Sequence, residues 1–177
     1  MILSDSTLLN RLKEFVQDPD PAFVNSASVD FRLGRKLLVE IEPVSGPGWL
    51  PTEPTWQEIN LGDYSQDHPY LLRPQSFALG ETFEIIKVPL DCAVEMKLKS
   101  SRARAGIDHS LAFWFDPGWV GIGTLELQNA FRYSAVKLWF GMRVGQLVVH
   151  KLDQPAVRPY SGRYQKATTL EVAKPGN

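Results

Sequence analysis

The sequence predicts a mainly β fold with one short helix at its start. Candidate strands are short, alternate apolar with polar residues and succeed one another at close spacing, as in all-β sandwiches and barrels. Thirteen glycines and thirteen prolines in 177 residues supply the turns such a chain needs. Helical spacing is found only near the N-terminus.

There, Ser4 or Asp5 stands as a cap before Leu8, Leu9, Leu12, Phe15 and Val16, so a short amphipathic helix is expected. The run Q-D-P-D-P ends it. Val29, Phe31 and Leu33 then alternate with Asp30, Arg32 and Gly34, a strand pattern, and L-L-V-E-I over 37–41 reads as the next strand. Residues 43–54 hold four prolines and two glycines, an irregular surface loop pinned by Trp49 and Trp56. Further strands are expected over 70–72, 76–79, 82–88, 93–99, 110–115, 124–129, 135–140 and 145–152. In 93–99, Val94, Met96 and Leu98 face one way while Glu95, Lys97 and Lys99 face the other, which carries Lys99 to the polar side. A hydrophobic content of 44% suffices for one sizeable core, so residues 1–177 are expected to form a single domain. The polar tail 166–177 is weakly patterned and is expected to order only on assembly or ligand binding.

A formal net charge of -1 argues against wide nucleic-acid binding, which calls for a clear basic excess, but leaves room for a small anionic ligand. No stretch approaches the roughly 20 apolar residues of a membrane helix, so a soluble, cytoplasmic protein without membrane partners is expected. Cys92 is the only cysteine, which excludes an intramolecular disulfide and a thiolate metal cluster within one chain. The H-x-E and P-C-x-x-C motifs of zinc-dependent nucleobase deaminases are absent, so any deamination is expected to proceed without zinc.

Two segments carry chemistry. S-S-R-A-R-A-G, from Ser100 to Gly106, reads as a strand leaving into a glycine-marked turn, rich in hydroxyl and guanidinium donors that suit phosphate oxygens. D-P-G-W-V-G-I-G-T-L-E-L-Q-N, from Asp116 to Asn129, reads as a Pro-Gly turn followed by a strand. Leu125 and Leu127 alternate with Thr124, Glu126 and Gln128, which puts the Glu126 carboxylate on the face opposite the leucines. On periodicity alone Glu126 is either a solvent-facing strand residue or an acid placed to activate water. Asp116 likewise reads as a turn cap or a site residue, and Trp119 as turn packing or a ligand contact.

Together these segments resemble the signature of the dCTP deaminase branch of the dUTPase-like superfamily. The resemblance extends in order through M-I-L-S-D, S-A-S-V-D-F-R-L-G, A-F-W-F-D-P-G-W-V-G, G-M-R-V-G-Q-L and P-A-V-R-P-Y-S-G-R-Y-Q. It implies a distorted β-barrel or jelly roll assembling as a homotrimer, with active sites between subunits. It implies hydrolytic deamination of dCTP to dUTP and ammonia, with Glu126 as general acid/base, Arg104 supporting the water and its charge, Ser100 in the catalytic set and Asp116 facing the deoxyribose. Lys99 and Ser101 would contact phosphates, Lys99 standing where arginine is more usual, which keeps the charge and loses the bidentate fork. Ala112, Trp119, Gly123 and Thr124 would face base and sugar. Tyr160, Arg163 and Tyr164 fit a Y-x-x-K/R-Y pattern reaching the phosphates, with Mg²⁺ carried by the triphosphate and no protein ligand to metal. Phe113 and Trp114 before Phe115 and Asp116 resemble the dual-activity members, which also hydrolyse the triphosphate and release dUMP. The tail departs from the family: R-Y-Q-K-A-T-T places Ala167 where a glutamine usually reads the pyrimidine edge, leaving Gln165 or backbone to compensate. This departure motivates an alternative, a non-catalytic nucleotide-binding or regulatory trimer of the same fold.

Overall fold

The computed structural model describes residues 1–43, 53–109, 112 and 114–173. The expected loop anchor Trp49 and part of the expected 110–115 strand lie outside them. The chain opens with α1 (Asp5–Phe15), whose Leu8, Leu12 and Phe15 are buried while Leu9 faces out. Eleven strands follow among the described residues: β1 (Val24–Asn25), β2 (Ser28–Ile41), β3 (Thr55–Asn60), β4 (Tyr70–Leu72), β5 (Phe77–Lys87), β6 (Cys92–Leu98), β7 (Ile107–His109), β8 (Trp114–Phe115), β9 (Val120–Asn129), β10 (Val136–Leu138) and β11 (Arg143–Lys151). A second short helix, α2 (Ser100–Arg104), stands between β6 and β7.

β7, β9, β5, β2, β11, β6 and β8 are joined edge to edge in that order, and all their pairings are antiparallel. β1 and β3 also pair with β2, and β4 with β10 in a separate ribbon. This is the mainly β fold expected, with the helix in its predicted place. One hydrophobic cluster, including Phe15, Leu33, Leu37, Leu61, Ile86, Leu127, Leu138 and Leu147, fills the inside of the curled sheet.

The two pairs of strands expected at 29–33 and 37–41, and at 76–79 and 82–88, are each one continuous strand, β2 and β5. The intervening residues form bulges, marked by register shifts between Leu33 and Leu37 and between Glu81 and Ile85. A glycine inside a strand pattern marks a bulge as readily as a turn. Gly34 shows why: a Cβ there would come within 2.5 Å of Glu81 Cγ. Backbone groups freed by the bulges find side-chain partners. Glu81 accepts from Lys36 N–H (3.0 Å), and the buried Glu84 accepts from both Arg32 N–H (2.8 Å) and Arg32 Nε (2.7 Å). Thr82, also buried, donates to Glu84 O and accepts from Gly123 N–H. Each such bond prevents the 1–3 kcal/mol cost, roughly, of an unsatisfied buried group.

The S-S-R-A-R run is helical rather than extended. The strand pairing ends when Lys99 N–H meets Val144 O (3.1 Å), after which Arg102 and Ala103 N–H both turn back to Lys99 O. Gly106, at φ +86°, closes the turn, where a Cβ would strike the Phe131 ring. Lys99 does not end in solvent: its Nζ donates to both carboxylate oxygens of Asp30 at 2.6 and 2.7 Å. The Asp30 side chain is only 2% exposed and also accepts from Asn25 Nδ2. Lys99→Met leaves the buried Asp30 carboxylate with only Asn25 Nδ2 and the more distant Arg143 guanidinium (3.6 Å) as partners, so it is expected to cost about 2 kcal/mol, read as a lowered urea midpoint at unchanged slope.

Candidate active site

β9 supplies one wall of a cavity of about 640 Å³. Its alternation sends Leu125 and Leu127 into the core and turns Ile122, Thr124 and Glu126 to the cavity, the facing read from the sequence. On the neighbouring β5, Phe77 and Leu79 face the same space, and Leu79 stands directly opposite Glu126 on the ladder. The turn Asp116–Trp119 forms the next wall. Trp119 N–H returns to Asp116 O (3.1 Å), with Pro117 second and Gly118 third at φ +90°, the geometry of a type II turn. Val88 holds that turn at both its atoms, accepting from Gly118 N–H and donating to Trp119 O, each at 2.8 Å. Trp119 is buried against Phe115 (5.2 Å between ring centroids) and Tyr160 (5.0 Å).

The third wall is the C-terminal segment. The amide of Gln165 is spent on backbone, donating to Gly118 O (2.7 Å) and accepting from Val120 N–H (3.0 Å). Lys166 N–H donates to Val120 O and Ile122 N–H to Ala167 O, so the segment runs along the first half of β9 like an added strand. Gly121, at φ +154°, permits this approach: a Cβ would lie 3.0 Å from both N and O of Ala167. Farther on, Leu170 is buried with Leu38 and Leu79, and its N–H reaches the second oxygen of Glu81 (3.2 Å). Gln165 therefore does not compensate for Ala167 over a base, because its amide is a backbone staple.

The cavity gathers Ala112, Asp116, Trp119, Thr124, Glu126, Tyr160 and Tyr164 from the residues singled out in the sequence. Lys99, Ser100, Ser101, Arg104 and Arg163 are not on its wall; the two serines and both arginines are exposed, and Lys99 faces Asp30. Gly123 is buried under the wall with its N–H on Thr82. The wall also includes Trp56, Trp114, Thr169 and Glu171, which sequence reasoning did not place there. Trp56 was visible as a loop anchor and does pack on Phe77, at 6.1 Å. Thr169 and Glu171 carried no signal, because the path of the tail depends on Leu170 finding its apolar slot.

The electrostatics single out Glu126. Burial beside apolar side chains pushes its carboxyl above the ordinary value of 4.5, the opposing influence being its own backbone N–H. Its Oε2 is buried with no hydrogen-bond partner among the described residues. Such a group holds a proton more readily than a surface glutamate and is suited to take one from water and return it. Asp116 differs, at the turn, with Oδ1 accepting from Trp114 Nε1 at 3.1 Å. Among the described residues the wall carries four carboxylates, Glu53, Asp116, Glu126 and Glu171, and no lysine or arginine. No group of three or more His, Cys, Asp or Glu side chains among them is placed to hold a metal ion. No helix among them is long and apolar enough to cross a membrane.

The chain is similar to proteins already known. The family model described as dCTP deaminase-like matches residues 2–152. A protein named "dCTP deaminase, dUMP-forming" from Clavibacter michiganensis subsp. michiganensis is 37% identical over 169 residues, covering 93% of this chain and 83% of its own length. Proteins of the same name from Acidothermus cellulolyticus and Dictyoglomus thermophilum are 37% identical over 174 residues and 38% identical over 176, covering 93% and 94% of this chain and 90% and 87% of their own. Among solved structures, the 2'-deoxycytidine 5'-triphosphate deaminase from Agrobacterium tumefaciens superposes with a TM-score of 0.63 at 23% identity over 85% of this chain, a likeness of fold. This chain spans about half of that one, 48% of its length.

The C-terminal wall rests on few anchors, and its exposure is testable. Leu170→Ala deletes the apolar plug, so tryptic cleavage after Lys166 is expected to accelerate about tenfold while the remaining chain stays resistant.

Proposed function

Because this chain belongs to the dCTP deaminase-like family, we propose that it is a dual-activity enzyme that deaminates dCTP and hydrolyses the triphosphate, releasing dUMP, pyrophosphate and ammonia. The observation that carries the deaminase part is Glu126, a desolvated carboxyl with an unpartnered oxygen on the wall of a cavity. The second activity draws support from relatives at 36–38% identity named dUMP-forming and from Asp116 on the same wall. It replaces simple conversion to dUTP as the leading reading.

In the first step the Glu126 carboxylate takes a proton from water as the water oxygen bonds to C4 of cytosine, and delivers that proton to ring N3. The hydroxyl on C4 then gives its proton by way of Glu126 to N4, and as the C4=O bond forms the C4–N4 bond breaks and ammonia leaves. Low polarity around Glu126 keeps its proton affinity high enough for both directions of transfer. In the second step Asp116 orients a water and accepts its proton as the water oxygen bonds to the α-phosphorus and pyrophosphate departs. Mg²⁺ would enter as part of the triphosphate substrate, held by its phosphate oxygens, and would offset their charge during cleavage.

The acidic wall suits the base and sugar rather than three phosphates. Within one chain, the hydroxyls and guanidinium of α2 lie off that wall. This separation supports an assembly in which α2 of a neighbouring copy brings Ser100, Ser101 and Arg104 to the nucleotide, as in the homotrimer implied by the family resemblance. Lys99 then positions α2 through Asp30. Tyr160, Tyr164 and the exposed Arg163 close over the phosphates, Trp119 and Thr124 face base and sugar, and Ala112 leaves room for them; Gly123, whose missing side chain would strike Phe115 in the core, acts only by letting β9 pack closely beneath the wall.

Glu126→Gln is expected to lower deamination of dCTP by at least 10³-fold, measured as ammonia release, with little change in melting temperature; an unchanged rate overturns the assignment. Since the base form is required and burial raises its pKa, kcat/KM for dCTP rises with pH through a limb lying above 4.5. Asp116→Asn is expected to leave dUTP as the accumulating product, resolved from dUMP by ion-exchange chromatography.

A further inference from the structure

Trp114 is the largest side chain at the cavity whose placement burial does not explain, since it is 54% exposed. It is instead held from two sides. Its indole N–H donates to Asp116 Oδ1 at 3.1 Å, the one side-chain hydrogen bond of Asp116 among the described residues. Its ring lies on the imidazole of His150, centroids 5.6 Å apart and planes tilted by 44°. His150 Nε2 is 3.3 Å from Glu95 Oε2, and Glu95 also contacts Lys97. The sheet register explains this gathering. Trp114 stands directly opposite Glu95 on the β6–β8 ladder, and His150 on β11 is paired with Ala93, two residues before Glu95. Glu95, Lys97, His150 and Trp114 therefore share one face of three adjacent strands.

β8 is only two residues long, so the sheet alone is a weak restraint on the aspartate that follows it. A carboxylate on a turn has rotameric freedom, and a single donor on one oxygen removes most of it while leaving the other oxygen for water or sugar. We propose that Trp114 is a positioning residue that holds Asp116 in the orientation required for triphosphate cleavage. The proposal rests on the dual-activity reading above and adds to it the residue that aims the acceptor. Misplacement of a reacting group by about 1 Å is enough for a large rate loss.

The test is Trp114→Phe, which keeps a ring against His150 and removes the N–H. Fed with dUTP, it is expected to show kcat for dUMP formation about tenfold lower, with KM within about twofold. Fed with dCTP, it should release products with a dUMP to dUTP ratio several-fold below wild type. In an Asp116→Asn background the same change is expected to have no further effect, the non-additivity of two residues acting through one interaction. A wild-type product ratio in Trp114→Phe overturns the proposal, as does an equal loss in both steps or full additivity with Asp116→Asn. Wild-type protein that converts dCTP only to dUTP, and never dUTP to dUMP, removes the dual-activity reading and this proposal with it.

Discussion

The two carboxylate oxygens of Glu81 join parts of the chain that are far apart in sequence. One accepts the Lys36 N–H released by the bulge in β2, and the other accepts the Leu170 N–H of the C-terminal segment. Gly34 makes the arrangement possible, because any side chain there would occupy the space of Glu81 Cγ. At the same point the β5–β9 register shifts. The bulge, the path of the tail and the stagger of β9 are thus linked, and a cavity between β9, β5 and the tail follows from all three.

Within that cavity the sheet ladder determines the character of the acid. Leu79 stands opposite Glu126, and Ile122 and Phe77 line the same face, so the carboxylate is partly buried on a largely apolar stretch of the wall. Desolvation raises its proton affinity without any nearby charge being needed. Asp116, a few residues earlier, is treated differently by its surroundings, being on a turn and bonded to an indole N–H.

The wall's charge also bears on assembly. Four carboxylates without a lysine or arginine among the described residues present an unfavourable surface to a triphosphate, and the donors that suit phosphate are on α2 and at Arg163. Lys99, the cation nearest α2 in sequence, is committed to the buried Asp30, so its contribution is to anchor the helix. The same economy is seen in Gln165, whose amide closes the tail onto β9 instead of facing the cavity.

Much of this was legible in the sequence. Period-two alternation determined the strands and the facing of Glu126 against Leu125 and Leu127, since side chains in a strand must alternate whatever surrounds them. The Asp-Pro-Gly turn was equally local, because proline and glycine restrict the backbone by themselves. The bulges after Leu33 and Glu81 look like strand breaks in the sequence, because a two-residue insertion and a turn leave similar marks there. The helical turn of α2, the Lys99–Asp30 pair and the places of Thr169 and Glu171 were decided only by tertiary structure. Each depends on a partner remote in the chain, Val144 O, a buried carboxylate and the slot between Leu38 and Leu79, and no local pattern carries the position of a remote partner.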